Sequence, residues 1–361
     1  MKIAYLVFHD ATSNDGVIKK IVTQVDSWRS QGHSVEVFCI TPKLGESILT
    51  GKQYLRESDV SSIFKLNYIL VSDLGRFSPD LVYFRYINFS RTLYKVLSNY
   101  VCVAELNSHD VNEFRLMAKT ERTVRSYVRY LMYRLLRGAV LSRVHGMVSV
   151  TQELARSPEF SKYSKPIAVV PNSIDLDRYA PIKRVCSGRI GLFFIGTPGQ
   201  PWQGVEHIER LAAVSPDFDF HVVGYSGSDK ENLFFHGYLD AVQYREIMGR
   251  CQICIGSLSL YRKGMKEACP LKVREYIAAG FPIFIGYSDT AFLDQMPPWA
   301  LQVDMREDTI KIRDVLHKFC KEYRDYIVPP TSAEPYVGSQ SLEVRRTLFL
   351  EGLLPTRRFS E

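Results

Sequence analysis

Short β-rich runs alternate with helical patterns along the chain, and this alternation most limits the folds that the chain can adopt. The runs form two series, one starting near the N-terminus and one at Arg189. Strand candidates lie at 3–8, 35–40, 81–84, 101–106 and 146–150, and then at 190–196, 218–224, 253–257 and 282–285. Strands that alternate with helices form βαβ units with parallel strands. The pattern therefore predicts an α/β protein with two mostly parallel sheets.

Chain length points to more than one domain. With 361 residues, the chain is long for a single hydrophobic core. The polar, proline-containing segment 169–181 between the two series is typical of a linker. We therefore expect an N-terminal domain at 1–172, a linker at 173–188 and a C-terminal domain at 189–334. Helical patterns are predicted at 16–31, 205–213, 241–249, 271–279, 308–326 and 342–353.

Composition argues against several classes of protein. Hydrophobic residues make up 46% and charged residues 24% of the chain, an ordinary balance for a globular protein. No apolar run reaches the roughly eighteen residues of a transmembrane helix, and the N-terminal apolar stretch is too short for a secretory signal. The seven scattered cysteines are odd in number, which indicates reduced thiols and a cytoplasmic location. Cys251 and Cys254 have C-x-x-C spacing but would point to opposite faces of a strand, so we interpret them as core residues.

One segment combines two carboxylates with strong helix-boundary signals. Glu267 and Glu275 lie eight residues apart, with Pro270 between them. A proline fits the first turn of a helix and not its interior, and Gly280 and Pro282 end the helix. Glu267 is therefore expected in the loop that enters the helix, and Glu275 just over one turn inside it.

The predicted start of this helix is suited to a phosphate group. The free N–H groups of a first helical turn attract anions, and Lys272 lies beside them. A helix end contributes about 0.3–1 kcal/mol to anion binding, and up to about 2 kcal/mol. Micromolar affinity needs about 8 kcal/mol, so other groups must contribute. Arg262 and Lys266, which precede Glu267, are suitable cations for a diphosphate.

The whole segment resembles a known family signature. It reads EACPLKVREYIAAGFP and is similar to the E-x7-E motif of retaining nucleotide-sugar glycosyltransferases with the two-domain GT-B fold, the family-4-like group. The resemblance implies that Glu275 binds the ribose and that Glu267 lies close to the donor sugar. It places the diphosphate over Leu271 and Lys272. The alternative interpretation is an ordinary amphipathic helix with a surface glutamate.

Other segments resemble the same family in the same order. They are 32–37, 147–150, the interdomain string 171–175, in which Ser173 replaces a usual glycine, and 235–238. The resemblance spans about residues 1–305. It implies two Rossmann-like domains that face each other across a cleft. It also implies that a C-terminal helix, at about 335–361, returns to the N-terminal domain.

Four further residues follow from this resemblance. Gly16, after the first strand, would let the backbone approach a diphosphate, although a plain loop glycine is the alternative. A G-x-G-x-x-G motif is absent there, which argues against nicotinamide binding. Either Asn107 or His109, just past a strand, could border the acceptor and the donor sugar, with Asp110 also on the acceptor side. For His109, a contact with a donor-sugar hydroxyl is weighed against a loop histidine with no such role.

The chain departs from the family at one point. After the first strand of the C-terminal domain, the family usually places an Arg and a Lys on the diphosphate, but no cation occurs from Gly196 to Gly204. Lys272, helped by Lys266 or Arg262, would substitute for that pair. The departure leaves open a second hypothesis, a catalytically inactive GT-B-fold partner subunit of a glycosyltransferase complex.

Basic residues are concentrated in one helical stretch. Residues 119–143 carry seven cations and one carboxylate. Basic charge combined with Tyr and Leu suits an anionic membrane surface, and the alternative is a core helix with a solvated basic face. No nucleic-acid-reading module accompanies the charge, so nucleic acid is not an expected partner.

The sequence therefore predicts a retaining, metal-independent glycosyltransferase, with hexosyl transfer expected. It would move a sugar from a nucleotide-diphosphate sugar to a glycan or lipid-linked acceptor in polysaccharide or glycolipid biosynthesis. No cofactor is expected besides this donor substrate. The pairs Asp175/Asp177 and Asp217/Asp219 have D-x-D spacing but lack the surroundings of a metal site, so no metal is expected.

Overall fold

The chain separates into two compact units. A computed structural model describes residues 1–13, 15–86, 89–185 and 188–355. The first unit is Met1–Ser173 together with Ser339–Glu361, and the second is Ile174–Gly338. Cys186 and the last part of the predicted C-terminal helix, 356–361, lie outside the described residues.

In the first unit, the described strands form one seven-stranded sheet. The strands are β1 (Lys2–Phe8), β2 (Ser34–Thr41), β3 (Lys52–Leu55), β4 (Leu81–Arg85), β5 (Cys102–Leu106), β6 (Gly146–Ser149) and β7 (Ile167–Val169). Their order is β3-β2-β1-β4-β5-β6-β7, and every neighbouring pair is parallel. The helices of this region are α1 (Gly16–Ser30), α2 (Asp59–Phe64), α3 (Tyr68–Phe77), α4 (Arg91–Leu97), α5 (Asp110–Glu121), α6 (Val124–Leu141), α7 (Gln152–Arg156) and α8 (Pro158–Ser161).

The second unit repeats this architecture. Its main strands are β8 (Ile190–Ile195), β9 (Phe218–Val223), β10 (Leu233–Phe235), β11 (Ile253–Ile255), β13 (Ile283–Ile285) and β15 (Ala300–Gln302), while β12 (Glu267–Ala268) and β14 (Ser288–Asp289) form a separate short pair. The order is β10-β9-β8-β11-β13-β15, again with parallel neighbours. The helices are α9 (Val205–Val214), α10 (Ala241–Met248), α11 (Leu271–Ala278), α12 (Thr309–Tyr323) and α13 (Pro330–Val337). The prediction of an α/β protein with two parallel-sheet domains is confirmed.

Burial explains why the predicted strands were readable. Residues 3–7 of β1 are all buried, as expected for a central parallel strand covered on both faces. The cysteines of the C-x-x-C pair, Cys251 and Cys254, are also buried, which confirms their interpretation as core residues. The strands β3, β7 and β15 were not predicted, because these edge strands are only partly buried and lack the continuously buried runs of the central strands. No helix among the described residues combines the length and the apolar character that a membrane crossing requires.

The last helix, α14 (Ser339–Gly352), packs in the first unit through buried charged groups. Glu343 accepts a hydrogen bond from Trp28 Nε1 at 3.0 Å, and its Oε2 lies 2.8 Å from Arg346 Nε. Arg346 Nη1 donates to Tyr83 Oη at 3.0 Å and lies 3.5 Å from Glu105 Oε2. The side chains of Glu343, Arg346 and Glu105 are fully buried. The C-terminal helix is therefore part of the polar centre of this unit.

We expect Glu343→Ala to destabilise the first unit by about 3–5 kcal/mol, because it removes the nearer of the two carboxylates of the buried Arg346 and the acceptor of Trp28 Nε1. Glu351→Ala is the matched control on α14, since the Glu351 side chain is 48% exposed and lies 4.0 Å from His33. Hydrogen-exchange mass spectrometry should show faster exchange in peptides of β1 and α1 for Glu343→Ala alone. Equal effects of the two substitutions would contradict a structural role for the buried charges.

Candidate functional site

Helix α11 has the boundaries that the sequence predicts. Pro270 precedes it in an extended conformation, with φ −71° and ψ 138°, and no side chain in the described part of the chain caps the N–H groups of its first turn. Gly280 follows it with φ +88°. Leu271 is its first residue, and Glu275 lies just over one turn inside. The helix therefore presents open N–H donors at its N-terminus.

Two side chains of α11 fasten the helix to the end of the central strand β8. The N–H of Ile195, the last residue of β8, donates to Tyr276 Oη at 3.0 Å. Lys272 Nζ donates to the carbonyl oxygen of Ile195, also at 3.0 Å. The N–H and the carbonyl oxygen of Ile195 are thus both bonded to side chains of α11. The helix N-terminus lies at the carboxyl edge of the sheet, where parallel-sheet domains bind ligands.

Lys272 is a half-buried cation with neutral partners. Besides Ile195, its ammonium contacts Gln203 Oε1 at 2.7 Å and lies 4.0 Å from the ring centre of Phe194. In the described part of the chain, no carboxylate oxygen lies within ion-pair distance of Nζ. Burial holds the pKa of Lys272 well below its ordinary value. Because an uncompensated buried charge is costly, the site is suited to an anionic ligand.

Gln203 is a site residue that the sequence did not single out. It ends the short 3-10 turn Pro201–Gln203, inside the segment that lacks a cation. Its Oε1 accepts from Lys272, and from Ser257 Oγ at 3.3 Å. The segment expected to bring cations to a diphosphate instead brings an amide oxygen to Lys272. No motif marks Gln203, and only its place in the loop after β8 could have drawn attention to it.

Glu267 is buried and firmly held. It opens the two-residue strand β12, not an open loop as expected, and Thr290 Oγ1 donates to its Oε1 at 2.8 Å. Next to β12, the buried Arg274 of α11 pairs with Asp289 of β14. These contacts join α11 to the β12–β14 pair and fix the segment that carries Glu267.

The carboxylate of Glu275 faces two tyrosines. The hydroxyl of Tyr244 donates a hydrogen bond to the Glu275 carboxylate. Burial and this carboxylate raise the pKa of Tyr244. Burial and the same carboxylate raise the pKa of Tyr179 to about 12. A carboxylate offers about four lone-pair positions. Glu275 is half-buried, so it retains acceptor capacity for hydroxyl groups of a ligand.

Arg262 and Lys266, the two cations expected to assist Lys272, have surroundings that differ from those of Lys272. Arg262 Nη2 pairs with Glu206 Oε1 at 2.7 Å, and its Nη1 donates to the carbonyl of Pro201 at 3.2 Å. The charge of Arg262 is therefore already compensated by a carboxylate. Lys266 is exposed, directly before β12.

Close backbone packing shapes the sheet edge beside this site. Gly224, after β9, has φ +89°, and a Cβ added there would lie 1.9 Å from the carbonyl oxygen of Gly196, after β8. Gly196 N donates to Val223 O at 3.1 Å, and Gly224 N donates to Gly237 O at 2.7 Å. Glycine at 224 thus allows the loops after β8 and β9 to touch.

In the first unit, Gly16 lies beside an acidic cap. Asp15 precedes α1, and its carboxylate accepts hydrogen bonds from Val17 N and Ile18 N. His9 Nε2 contacts the same carboxylate at 2.7 Å. The N–H groups of Val17 and Ile18 are therefore already used, and the negative charge of Asp15 does not favour a diphosphate at Gly16.

The three residues predicted on the acceptor side have different surroundings. Asn107 Oδ1 lies 3.3 Å from Lys20 Nζ, and its Nδ2 donates to Glu105 Oε1 at 2.9 Å. His109 precedes α5, and its Nδ1 lies 3.6 Å from Glu159 Oε2. Both side chains follow the carboxyl end of β5, as expected from the sequence.

Asp110 has a structural explanation. Its two carboxylate oxygens accept from Arg137 Nε at 2.7 Å and from Arg137 Nη2 at 3.1 Å. Tyr133 Oη also donates to this carboxylate. All three side chains are buried, so Asp110 holds α5 against α6. Arg137 is thereby withdrawn from the basic surface of 119–143, whereas Arg122, Arg125 and Arg134 are exposed.

Comparison with known proteins identifies the fold. No family model matches the sequence, and no curated protein matches it significantly. Among solved structures, the chain resembles a sucrose-phosphate synthase from Thermosynechococcus elongatus, with a TM-score of 0.69 and 11% identity over 98% of this chain and 99% of that chain. It also resembles Anabaena HepE in complex with UDP and glucose, with a TM-score of 0.62 and 11% identity over 97% and 99% of the two chains. The lipopolysaccharide outer core galactosyltransferase WaaB gives a TM-score of 0.61, with 11% identity over 97% and 100%. The fold is that of the GT-B glycosyltransferases.

We expect Gly224→Ala to destabilise the second unit more than Gly199→Ala does. Both glycines have positive φ, +89° and +77°, and an added Cβ at Gly199 meets nothing within 4 Å. Left-handed backbone strain should lower the free energy of unfolding of each variant by about 1–2 kcal/mol. In Gly224→Ala, the added Cβ also collides with the Gly196 carbonyl. Thermal unfolding of the two variants measures the difference. Equal losses would show that the loops after β8 and β9 do not need this close approach.

Proposed function

We propose that the chain is a retaining, metal-independent glycosyltransferase that transfers a hexose from a nucleotide-diphosphate sugar. The observation that carries this proposal is the ammonium of the half-buried Lys272, which lies among neutral partners at the N-terminus of α11. A diphosphate would supply the negative charge that these surroundings lack. HepE, which shares the fold, has been solved with UDP and glucose.

The donor would lie along the start of α11. Its diphosphate would accept hydrogen bonds from the free N–H groups near Leu271 and from Lys272. The ribose hydroxyls would donate to Glu275, which lies one turn further along the helix and is half-buried. Glu267, held by Thr290, would lie towards the sugar. This assignment follows the resemblance to the E-x7-E signature, residue by residue.

The reaction would be a direct transfer with the leaving group stabilised by the protein. The bond between the anomeric carbon and the β-phosphate oxygen breaks, and the acceptor hydroxyl oxygen forms a new bond to that carbon on the same face. The hydroxyl proton passes to the departing phosphate oxygen. Lys272 and the helix end would stabilise the negative charge that develops on the diphosphate, and binding both substrates together would supply the orientation.

The acceptor is proposed to be a glycan or a lipid-linked molecule, in polysaccharide or glycolipid biosynthesis. WaaB, which shares the fold, is a lipopolysaccharide outer core galactosyltransferase. Asn107 and His109, at the carboxyl end of β5, are the proposed contacts on the acceptor side. The exposed cations of 119–143 would hold the protein at the cytoplasmic face of an anionic membrane.

The second candidate is a GT-B-fold partner subunit without activity. It is favoured by the missing cations from Gly196 to Gly204 and by the pairing of Arg262 with Glu206. Together these leave the diphosphate charge to Lys272 and the exposed Lys266.

A two-step screen separates the two candidates. Thermal shift with UDP, GDP, ADP and the corresponding nucleotide sugars should show stabilisation by at least one of them, because ligand binding stabilises the folded state. Mass spectrometry with a total lipid extract then scores hydrolysis and transfer. Stabilisation followed by transfer supports the enzyme. No stabilisation by any nucleotide would overturn the enzyme proposal and favour the partner subunit.

Nucleotide binding should be accompanied by proton uptake at Lys272. Burial lowers the pKa of the free ammonium, and a diphosphate beside it would raise that pKa. Affinity should therefore be greatest below the pKa of the free protein and fall as the pH rises towards the pKa of the complex. Calorimetric titration of UDP in buffers of different ionisation enthalpy measures the protons taken up.

Lys272→Gln should abolish this proton uptake and weaken UDP binding by about 10–100-fold, through the loss of a charged hydrogen bond. Any proton taken up by the nucleotide itself remains in the variant, so the difference reports on Lys272. Lys318→Gln is the control, because Lys318 is an exposed lysine of the same unit. Unchanged proton uptake in Lys272→Gln would exclude the diphosphate from this helix end.

A further inference from the structure

A large apolar cavity lies within the first unit, apart from the Lys272 site. Its volume is about 770 Å³, which is within the range of small-molecule sites. The apolar side chains that line it include Ile63, Leu66, Phe89, Met132 and Leu136, and all five are half-buried. The cavity is therefore bounded by hydrocarbon and aromatic groups from α2, the segments that follow α2 and β4, and α6.

The position of the cavity connects it with the ligand edge of the sheet. Phe8 and Ile40, at the carboxyl ends of β1 and β2, contribute to its wall. Ligands of open parallel sheets bind at this edge. Polar residues that follow β5 at the same edge include Asn107, the proposed acceptor contact.

Cations predominate among the charged residues that line the cavity. In the described part of the chain these residues are Arg56, Lys65, Arg125 and Arg129, with Glu57 as the carboxylate. Glu57 is itself 3.5 Å from Lys65. The lining therefore has an excess of positive charge around an apolar interior.

Arg129 gives a second indication of an anionic ligand. Its Nη2 donates to Glu121 at 3.2 Å, but its Nε is a buried donor for which the described residues offer no hydrogen-bond acceptor. Burying a donor without a partner is costly, and native proteins rarely do so without a functional reason. A change of the Arg129 side-chain rotamer would bring this N–H, which is buried in the described conformation, to a phosphate oxygen in the cavity.

The surface around the cavity is also apolar. Tyr68, Ile69, Val124 and Val128 line the cavity while their side chains are 75%, 70%, 81% and 48% exposed. Phe64, beside them in the chain, is 68% exposed. An apolar rim with neighbouring cations is typical of surfaces that meet anionic lipid.

We propose that this cavity binds the hydrocarbon chain of a glycan-bearing lipid phosphate, whose phosphate group is held by Arg125 and Arg129, and that a hydroxyl of this lipid-linked glycan is the acceptor. The description of the lipid as the acceptor rests on the function proposed above. A bare glycan would leave the apolar wall unfilled, and a free anion would leave the 770 Å³ interior empty. A hydrocarbon chain with a charged end matches both parts of the site.

Farnesyl phosphate, used below its micelle concentration, is a suitable probe. Isothermal titration calorimetry on the full chain should show binding of farnesyl phosphate that is at least tenfold tighter than binding of farnesol, because the phosphate adds charged hydrogen bonds. Inorganic phosphate alone should bind more weakly still, since it lacks the apolar chain. Equal binding of farnesol and farnesyl phosphate would overturn the assignment of Arg125 and Arg129.

Two pairs of variants on α6 test the site. Met132→Trp fills the cavity and should weaken farnesyl phosphate binding about tenfold or more, whereas Leu135→Trp, at a side chain that is 71% exposed and outside the lining, should not. Arg125→Gln should weaken it about tenfold, whereas Arg134→Gln, also exposed and outside the lining, should retain it. Equal effects within either pair would indicate that farnesyl phosphate binds through general attraction to the basic, apolar helix α6 and not in the cavity. That result would overturn the proposal.

Binding of UDP distinguishes failure of this inference from failure of the proposed function. Met132→Trp should retain the UDP affinity of the unmodified protein, which also reports that the variant is folded. If UDP binds and farnesyl phosphate does not, the lipid site is wrong while the donor site stands. If farnesyl phosphate binds and no nucleotide does, the cavity stands as a lipid site but not as an acceptor site. Binding of farnesyl phosphate that Met132→Trp leaves unchanged would place the lipid outside the cavity and overturn the proposal.

Discussion

A lysine ammonium surrounded by neutral oxygens is the constraint on which the functional interpretation depends. Lys272 is held by the carbonyl of Ile195, the amide of Gln203 and the ring face of Phe194. These partners fix its position but do not neutralise its charge. The cost of this arrangement is lowest when an anion is bound. The same residue joins α11 to β8, so the structural role of Lys272 and its proposed binding role share one geometry.

In the first unit, unlike at Lys272, the buried cations Lys20 and Arg346 lie beside carboxylates. Lys20 Nζ lies 2.6 Å from Glu105 Oε1, and Arg346 lies near the other oxygen of Glu105 and pairs with Glu343. Burial lowers the pKa of Lys20 to about 8 even with this carboxylate beside it. Here Lys20 and Arg346 each have a carboxylate from the protein. This difference in charge compensation is the reason that we propose a binding role for Lys272 and a structural role for Lys20 and Arg346.

Local signals in the sequence were sufficient for the elements but not for their side-chain partners. Proline and glycine mark the limits of α11, and the spacing of Glu267 and Glu275 selected the helix that carries Lys272. The partners come from distant parts of the chain. Gln203 reaches Lys272 across 69 positions, and Asp110 meets Arg137 across 27. No spacing rule links such pairs, so the neutral environment of Lys272 and the structural use of Asp110 emerge only in the folded chain.

The return of α14 to the first unit has a consequence for biosynthesis. During translation, the strands and helices of residues 1–173 emerge long before Ser339–Gly352. Until then Trp28 Nε1 lacks the acceptor that it has in the folded protein, and Glu105 lacks Arg346. Domains usually fold on the ribosome in order from the N-terminus. In this protein the domain that starts first is completed last, and a nascent chain that stops before residue 339 would leave its centre open to chaperones and proteases.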